Sequence, residues 1–534
     1  MTTADLINAL CLPQNYPHSV DVITTIETHI SVVFLTGPYA YKLKKPVDFG
    51  FLDFSDLSKR KKFCDLEVQL NKRYAPELYI GVTPIYLNHT GQITFNPTDA
   101  EGGVVDYLVK MNQFDPNQVL GRRLKNESLS ATQIESLASQ IANFHQAAEM
   151  VDQQSELGEP RTILQPMLDN FPTLVEYFNT NHAEQLDALY QWTLDQFNTL
   201  EPFIKQRKKD GFVKACHGDL HIDNITLINE SPILFDGIEF NENFRWIDTI
   251  SDFAFLLIDL DYRKQFQLKR SVLSFYLGQT GDYNGLKLLR FYQVYRALVR
   301  AKITTLRAAQ LPENSLQHLQ LKEDAIDYIH LANSYTESNQ TPKLILLQGV
   351  SGSGKSHFAS QLLGQFDAVV ISSDRVRKQL YGISPLHRVT EDEKQSLYSV
   401  KMNKKVYQSL LSEAKKMLLQ GFNVVVDATF LQDKHRSVFH EMCQLISSDQ
   451  PDSSFQASSH VIYIETTTEL ASLSIKQRQQ KDDNPSDADC SVMQRQLLNL
   501  EPPTQAEHAL TIHAQRLREF YPQETIQEFL KLPI

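Results

Sequence analysis

The segment Gly349-Val-Ser351-Gly352-Ser353-Gly354-Lys355-Ser356 ends an apolar run, KLILLQ, and opens a helical one, SHFASQLLG. A G-x-x-x-x-G-K-S string in that setting has a physical purpose. Its glycines let the backbone curl until successive N–H groups converge on a phosphate, and the helix N-terminus adds positive potential. The lysine reaches the outer phosphates, and the serine hydroxyl is an oxygen ligand for Mg²⁺. Two acidic positions follow at the ends of later apolar runs. In Ser372-Ser373-Asp374-Arg375-Val376-Arg377, Asp374 is placed to accept a proton from an acceptor hydroxyl and Arg377 to hold a substrate anion. Asp374 is also the residue type that caps the helix starting directly after it, and the two roles are compatible. Asp427, closing Val424-Val425-Val426-Asp427, suits a Walker-B-like carboxylate that organises the Mg²⁺ shell. Lys476-Gln477-Arg478, ahead of DDNPSDAD, is either a lid that brings Arg478 over a transferring phosphoryl group or a solvated helix face.

A second constellation lies in the first half. His217-Gly218-Asp219-Leu220-His221-Ile222-Asp223-Asn224 sits between short apolar strands, and after a turn ILF leads into Asp236-Gly237-Ile238-Glu239. Asp219 and Asn224 have the spacing of H-x-D-x-x-x-x-N, in which the carboxylate takes the acceptor proton and the amide oxygen holds a metal. Asp236 falls where a second metal carboxylate belongs. Such a site also needs a strand lysine paired with a helix glutamate. In AYKLKKPVDFGF, Lys42 and Lys44 share one face of a strand. Phe63, Leu66, Glu67 and Leu70 recur at helical spacing, so Glu67 lies on the inward stripe and needs a cationic partner. Lys42 is the first choice for that partner and Lys44 the second. No G-x-G-x-x-G precedes them, so clamping of phosphates from above is weaker here than in protein kinases.

The elements that must position these residues fall into two patterns. Residues 1–336 combine short strands (THISVVFL, AYKLKK, YIGVTPIYL, VVDYLVKM), a helix near Leu57–Tyr74 and a longer helical stretch with a small β insert at Ala215, an α+β pattern. Residues 342–534 alternate strands (LILLQGV, AVVISS, NVVVDATF, HVIYIET) with helices, the mark of an α/β doubly wound parallel sheet. The polar stretch TESNQTP joins them, and the halves show no repeat of one another.

Both motif sets resemble known families. GxxxxGKS, SSDxxR, VVVDATF and the later Ser486-Asp487-Ala488 are similar to the P-loop kinase group that contains polynucleotide kinase phosphoryl-transfer domains, zeta toxins and small-metabolite kinases. SSDxxR most resembles the polynucleotide 5′-hydroxyl kinases, which implies Asp374 as base and Arg377 as a substrate-phosphate contact. HGDLHIDN and FDGIEF resemble the aminoglycoside phosphotransferase and choline kinase group, which implies a protein-kinase-like bilobal fold, Asp219 as base, and Asn224 and Asp236 as Mg²⁺ ligands. His217, Asp248 and Asp252 would then support the loop. The whole chain resembles bacterial two-domain proteins that fuse these modules. The resemblance implies ATP and Mg²⁺ at both sites and a hydroxyl-bearing acceptor, either a small molecule or a nucleic-acid 5′ end.

Composition narrows the alternatives. With 534 residues the chain exceeds one ordinary core, and 42% hydrophobic and 22% charged residues fit a globular protein. The net charge of −12 argues against a broad basic surface for nucleic acid. Five scattered cysteines show no disulfide or zinc spacing, and no long apolar run or leader-like start is visible, so a cytoplasmic protein without membrane or zinc partners is expected. The rival reading is a regulatory ATP-binding or ATPase protein, or a zeta-like toxin module held in check by the kinase-like half.

Overall fold

The computed structural model describes residues 1–50, 52–178, 182–338, 340–384, 387–449, 455–479, 486–507, 509–519 and 523–531. The chain separates into two compact units. The first comprises Met1–Leu129, Asn143–Asp259 and Tyr295–Ala325, and the second Ser130–Ala142, Leu260–Val294 and Ile326–Ile534. This grouping is not a single cut at 336–342: two segments from the middle of the expected first domain pack with the second unit.

The first unit opens with a six-stranded sheet in the order β1 (Thr24–Glu27), β2 (Ser31–Leu35), β3 (Tyr39–Lys44), β6 (Val104–Asn112), β4 (Tyr79–Leu87), β5 (Ile93–Thr94), with every pair antiparallel. Strand β3 shows why the sheet orients as it does. Tyr41 and Leu43 join a cluster with Leu6, Leu10, Phe34 and Ile85, so the alternate residues Lys42 and Lys44 face the other side. On the helix Leu57–Asn71, whose N-cap Asp56 accepts from the Lys59 N–H, Cys64, Glu67, Val68 and Asn71 are buried at helical spacing. Two small antiparallel pairs then hold the first-half motifs. Strand β7 (Val213–Ala215) pairs with β10 (Trp246–Asp248), and β8 (Ile225–Ile228) forms a hairpin with β9 (Ser231–Leu234). The hairpin turns at Asn229 and Glu230, both at positive φ, as a two-residue turn between right-twisted strands requires. The HGD segment lies between β7 and β8, and Asp236–Glu239 between β9 and β10. The rest of the unit is mainly helical, the α+β pattern expected from the sequence.

The second unit contains a five-stranded parallel sheet in the order β12 (Ala368–Ser372), β13 (Asn423–Asp427), β11 (Lys343–Gln348), β14 (Ser458–Glu465), β15 (Leu510–His513). It is doubly wound α/β, as the alternating pattern predicts, with a fifth strand that the sequence reading omitted. Leu344–Leu347 of central β11 are fully buried, as a strand covered on both faces must be. Among the described residues no helix is long and apolar enough to cross a membrane.

Candidate functional site

In the first unit β3, the helix Leu57–Asn71 and the Asp236 loop bring five charges together. Lys42 Nζ donates to Glu67 Oε1 at 2.9 Å and to Asp236 Oδ1 at 2.5 Å. Lys44 Nζ donates to Glu67 Oε2 at 2.5 Å and pairs with Glu239, while sitting over the Phe54 ring. Both lysines therefore reach Glu67, one per carboxylate oxygen, and the alternative left open by the sequence does not force a choice. Glu67 is fully buried, and burial alone would raise its pKa; the two ammonium groups outweigh that and lower it. Burial pulls both lysines down, but Asp236, Glu67 and Glu239 raise Lys42, and Glu239 and Glu67 raise Lys44.

The two loops are tied to each other and to their surroundings. Asp236 adopts φ +62°, a left-handed conformation uncommon for aspartate, and its N–H donates to Tyr79 Oη at 3.1 Å. Gly237 N–H donates to Asn71 Oδ1, and Ile238 N–H to the His217 carbonyl. On the other loop Asp252 accepts the N–H groups of His217 and Gly218 at 3.0 and 2.8 Å and is held by His145 Nε2. Asn224 Nδ2 donates to the Asp219 carbonyl and carboxylate, which leaves its Oδ1 as the atom available to a cation. Asp219 lies 3.4 Å from His221 Nε2. Burial would raise the carboxylate, but His221 and Arg300 lower it, so it stays ionised. His145, Cys216 and Asp252 also lie within metal-ligand reach of one another, but the hydrogen bonds just given, with Cys216 Sγ donating to the Ile247 carbonyl at 3.4 Å, make them a buried support for the loop.

In the second unit the P-loop follows β11. Gly349, Gly352 and Gly354 have φ of +150°, +82° and +99°, and Gly354 is the N-cap of the helix Lys355–Leu362. A Cβ at Gly352 would lie 2.5 Å from the Ala471 carbonyl, so the loop closes only without one. Ser356 Oγ donates to Asp427 Oδ2 at 2.6 Å, joining the two expected Mg²⁺-side oxygens. Lys355 Nζ donates to the carbonyls of Gly349 and Val350, each at 2.9 Å, and burial lowers its pKa; burial also raises Asp427, in spite of Lys355 and Ser356. Ser351 N–H donates to Gln496 Oε1, and the buried Ser353 Oγ has no hydrogen-bond partner among the described residues.

A cleft of about 680 Å³ opens over this loop, lined by Ser351–Ser356, Asp374, Arg377, Asp427 and Arg478. The structure thus gathers every second-half candidate except Gly349 into its lining, with Gly349 at the loop's start. Asp374 is not at the cap position: β12 stays extended through Ser372, which holds the N-cap position of Ser373–Tyr381 without a side-chain capping bond, and Asp374 sits in the first turn. Arg377 Nη1 donates to Leu397 O and Asn403 Oδ1, and its Nε lies 4.0 Å from Asp374. Arg478 reaches the Ala488 carbonyl, whereas Lys476 is exposed; of DDNPSDAD, residues 482–485 lie outside the described residues.

A family model described as an AAA domain matches residues 344–503, the stretch holding the loop, Asp374 and Asp427. Proteins described as uncharacterized, from Mycobacterium tuberculosis and Mycobacterium bovis, are 30% identical over 409 residues, 76% of this chain and 78% of theirs. The chain belongs to their family. Among solved structures it is similar to an ethanolamine kinase of Plasmodium vivax (13% identity, 60% of this chain and 83% of that one, TM-score 0.37). It is also similar to a gluconokinase of Sinorhizobium meliloti (18% identity, 36% and 91%, TM-score 0.23). This family member combines an α+β unit with a unit that carries a P-loop on a parallel sheet.

Three residues at these sites escaped the sequence reading. Glu239 was visible only as part of FDGIEF, three residues beyond Asp236 in an irregular loop where no periodicity says which way a side chain points. Asn71 carries the Asp236 loop from the end of the glutamate helix; its place one turn after Glu67 was the available signal. Gln496 lies in a helix far along the chain, and nothing near it marks a contact with Ser351.

Proposed function

We propose that the chain is an ATP- and Mg²⁺-dependent phosphotransferase with two separate nucleotide sites, each moving the γ-phosphoryl group to an acceptor hydroxyl. The observation that carries the reading is the Ser356–Asp427 hydrogen bond at the end of a glycine-shaped loop, beside a cleft that also holds Asp374 and Arg377. Hard oxygen donors, Ser356 and Asp427 in one unit and Asn224 and Asp236 in the other, fit Mg²⁺ rather than a softer metal. When bound, the cation neutralises charge on the nucleotide phosphates.

The protein's own groups do the rest. In the second unit Lys355 and the loop N–H groups hold the outer phosphates, Asp374 accepts the acceptor proton, and Arg377 and Arg478 supply positive charge. In the first, Lys42 is fixed by Glu67 for the nucleotide phosphates, and Asp219 is held ionised for the acceptor hydroxyl.

The test is transfer from γ-labelled ATP by the intact chain to 5′-hydroxyl oligonucleotides, aminoglycosides, small alcohols and the protein itself, repeated with Asp219→Asn and Lys355→Ala. Each variant should remove one transfer activity and spare the other. ATP binding without transfer or hydrolysis at either site would sink the proposal and favour a regulatory nucleotide-binding protein.

A further inference from the structure

Strand β12 is an edge of the parallel sheet, and an edge strand leaves backbone N–H and C=O groups unpaired unless something covers it. Within the second unit the helix Phe266–Thr280 does so. Ser274 Oγ accepts the Val370 N–H at 3.0 Å. Arg270 pairs with Asp367 Oδ1 at 2.9 Å and donates to the Leu363 carbonyl. The fit continues onto the helix Ser373–Tyr381. A Cβ at Gly278 would come within 3.2 Å of Arg375 Cδ, and one at Gly281 within 2.1 Å of Gln379 Nε2. Arg375 lies over the Phe275 ring, 4.8 Å from its centroid, and forms an ion pair with Glu135, the two side chains being 8% and 14% exposed.

Arg375 directly follows Asp374 in the first turn of that helix. Its partner lies 240 positions earlier in the sequence. A desolvated guanidinium without its carboxylate is strongly unfavourable, so the pair fixes the start of the helix as well as the side chain. Of the two arginines in SSDRVR, Arg375 is thereby committed to the scaffold, and Arg377 is the one left among the cleft-lining residues.

We propose that Glu135 is a positioning residue for the P-loop site: through Arg375 it sets the helix that carries Asp374, so the acceptor side of the site is built by an upstream segment while the nucleotide side is not. This rests on the reading of Asp374 as the acceptor-side carboxylate. Lys355 and Ser356 open the helix after the loop and Asp427 ends β13, and among the described residues Glu135 pairs with neither element.

The test is amide hydrogen exchange on the full chain, comparing wild type with Glu135→Gln and with the charge swap Glu135→Arg/Arg375→Glu. Without nucleotide, Glu135→Gln should speed exchange across residues 373–381 by about tenfold or more, a local opening, and the swap should restore much of the protection. ATP·Mg should still protect residues 349–362 in all three proteins. In any transfer found at this site, kcat should fall about tenfold in Glu135→Gln with KM for ATP within about twofold. Unchanged exchange at 373–381, failure of the swap to restore it, or loss of ATP protection together with it would overturn the proposal. The exchange without nucleotide is independent of turnover. Absence of transfer in the wild type therefore counts against the phosphotransferase reading, and absence of the helix effect counts against Glu135.

Discussion

The two sites handle charge in opposite ways. In the first, two lysines and three carboxylates interlock before any ligand arrives: Lys42 joins Glu67 to Asp236, and Lys44 joins Glu67 to Glu239. In the second, Lys355 makes no ion pair among the described residues and rests its ammonium on two loop carbonyls. A site of the first kind is a structural unit in its own right, and its charges stabilise one another. A site of the second kind is shaped by backbone and is electrostatically incomplete until an anion arrives. On the proposed reading the same task, neutralising phosphate charge, is thus tied to folding in one unit and nearly independent of it in the other.

The largest effect should come from breaking the interlocked set. Glu67→Gln removes the carboxylate that both lysines share and leaves two buried cations poorly compensated, a loss of about 3–5 kcal/mol by analogy with broken buried ion pairs. Lys355→Met should remove nucleotide binding at the P-loop while leaving stability unchanged or slightly raised, because it relieves a buried cation that no carboxylate among the described residues pairs with directly. Denaturant unfolding of both variants checks the contrast. Equal destabilisation would mean that the two lysines are held alike and that the distinction is false.

A second contrast lies within the first site. Asp219→Asn keeps the loop's shape and should lower transfer by about 10²–10⁴-fold with ATP affinity little changed. Asp236→Asn should weaken Mg²⁺-dependent ATP affinity as well, since it removes one of the two carboxylates that pair with Lys42 and a negative charge on the nucleotide side. ATP titrations with and without Mg²⁺, read beside turnover and a melting curve, distinguish the two. Small, equal effects on both quantities would reduce HGDLHIDN to a structural turn.

How far these sites were legible follows the range of the interactions. The glycine loop and the alternation that puts Lys42 and Lys44 on one face are local patterns that survive into the structure; Glu67 is inward as expected, but the buried stripe around it runs through Cys64, Val68 and Asn71, while Phe63 and Leu66 are only half-buried. Glu239 and Gln496 were not legible, because each is brought in by a fold-level contact rather than by spacing. The Glu135–Arg375 pair and the cover over β12 were hidden for the same reason. Sequence punctuation at 336–342 marks where the chain changes pattern, whereas grouping into units depends on what covers a sheet edge, and the edge helix comes from residues 266–280. Asp374 was misplaced by two positions relative to the cap because the extended backbone of β12 runs on through Ser372.

Smaller effects test whether the P-loop is backbone-made. Gly352 and Gly354 both have positive φ, but only a Cβ at Gly352 meets backbone, whereas nothing lies within 4 Å of one at Gly354. Gly354→Ala should therefore cost only the left-handed strain, about 1–2 kcal/mol. Gly352→Ala should distort the loop and weaken ATP binding there further, with the first site untouched. Matching losses in calorimetric titrations of the two variants would show that close approach to Ala471 does not shape the cradle.

The smallest effect is one of pH, and its sign separates the two lysine types. Burial lowers the pKa of Lys355 from 10.5, whereas carboxylate neighbours raise Lys42 and Lys44 above it. A lysine must be protonated to neutralise phosphate. Above the free pKa of Lys355, binding has to take up a proton, and affinity should fall by up to about tenfold per pH unit. That decline should begin below pH 10.5 at the P-loop site. At the first site Lys42 stays charged over the same range, so affinity there should hold. The stability that Lys42 and Lys44 contribute is likewise complete below the unfolded lysine value of about 10.4 and is lost only as pH rises through their raised folded values. ATP affinity measured from pH 7.5 to 10 on Lys42→Met, which isolates the P-loop site, and on Lys355→Met, which isolates the other, reads the difference directly. An alkaline decline of the same position and steepness in both would show that the interlocked carboxylates do not hold Lys42 charged, and the electrostatic distinction between the sites would fail.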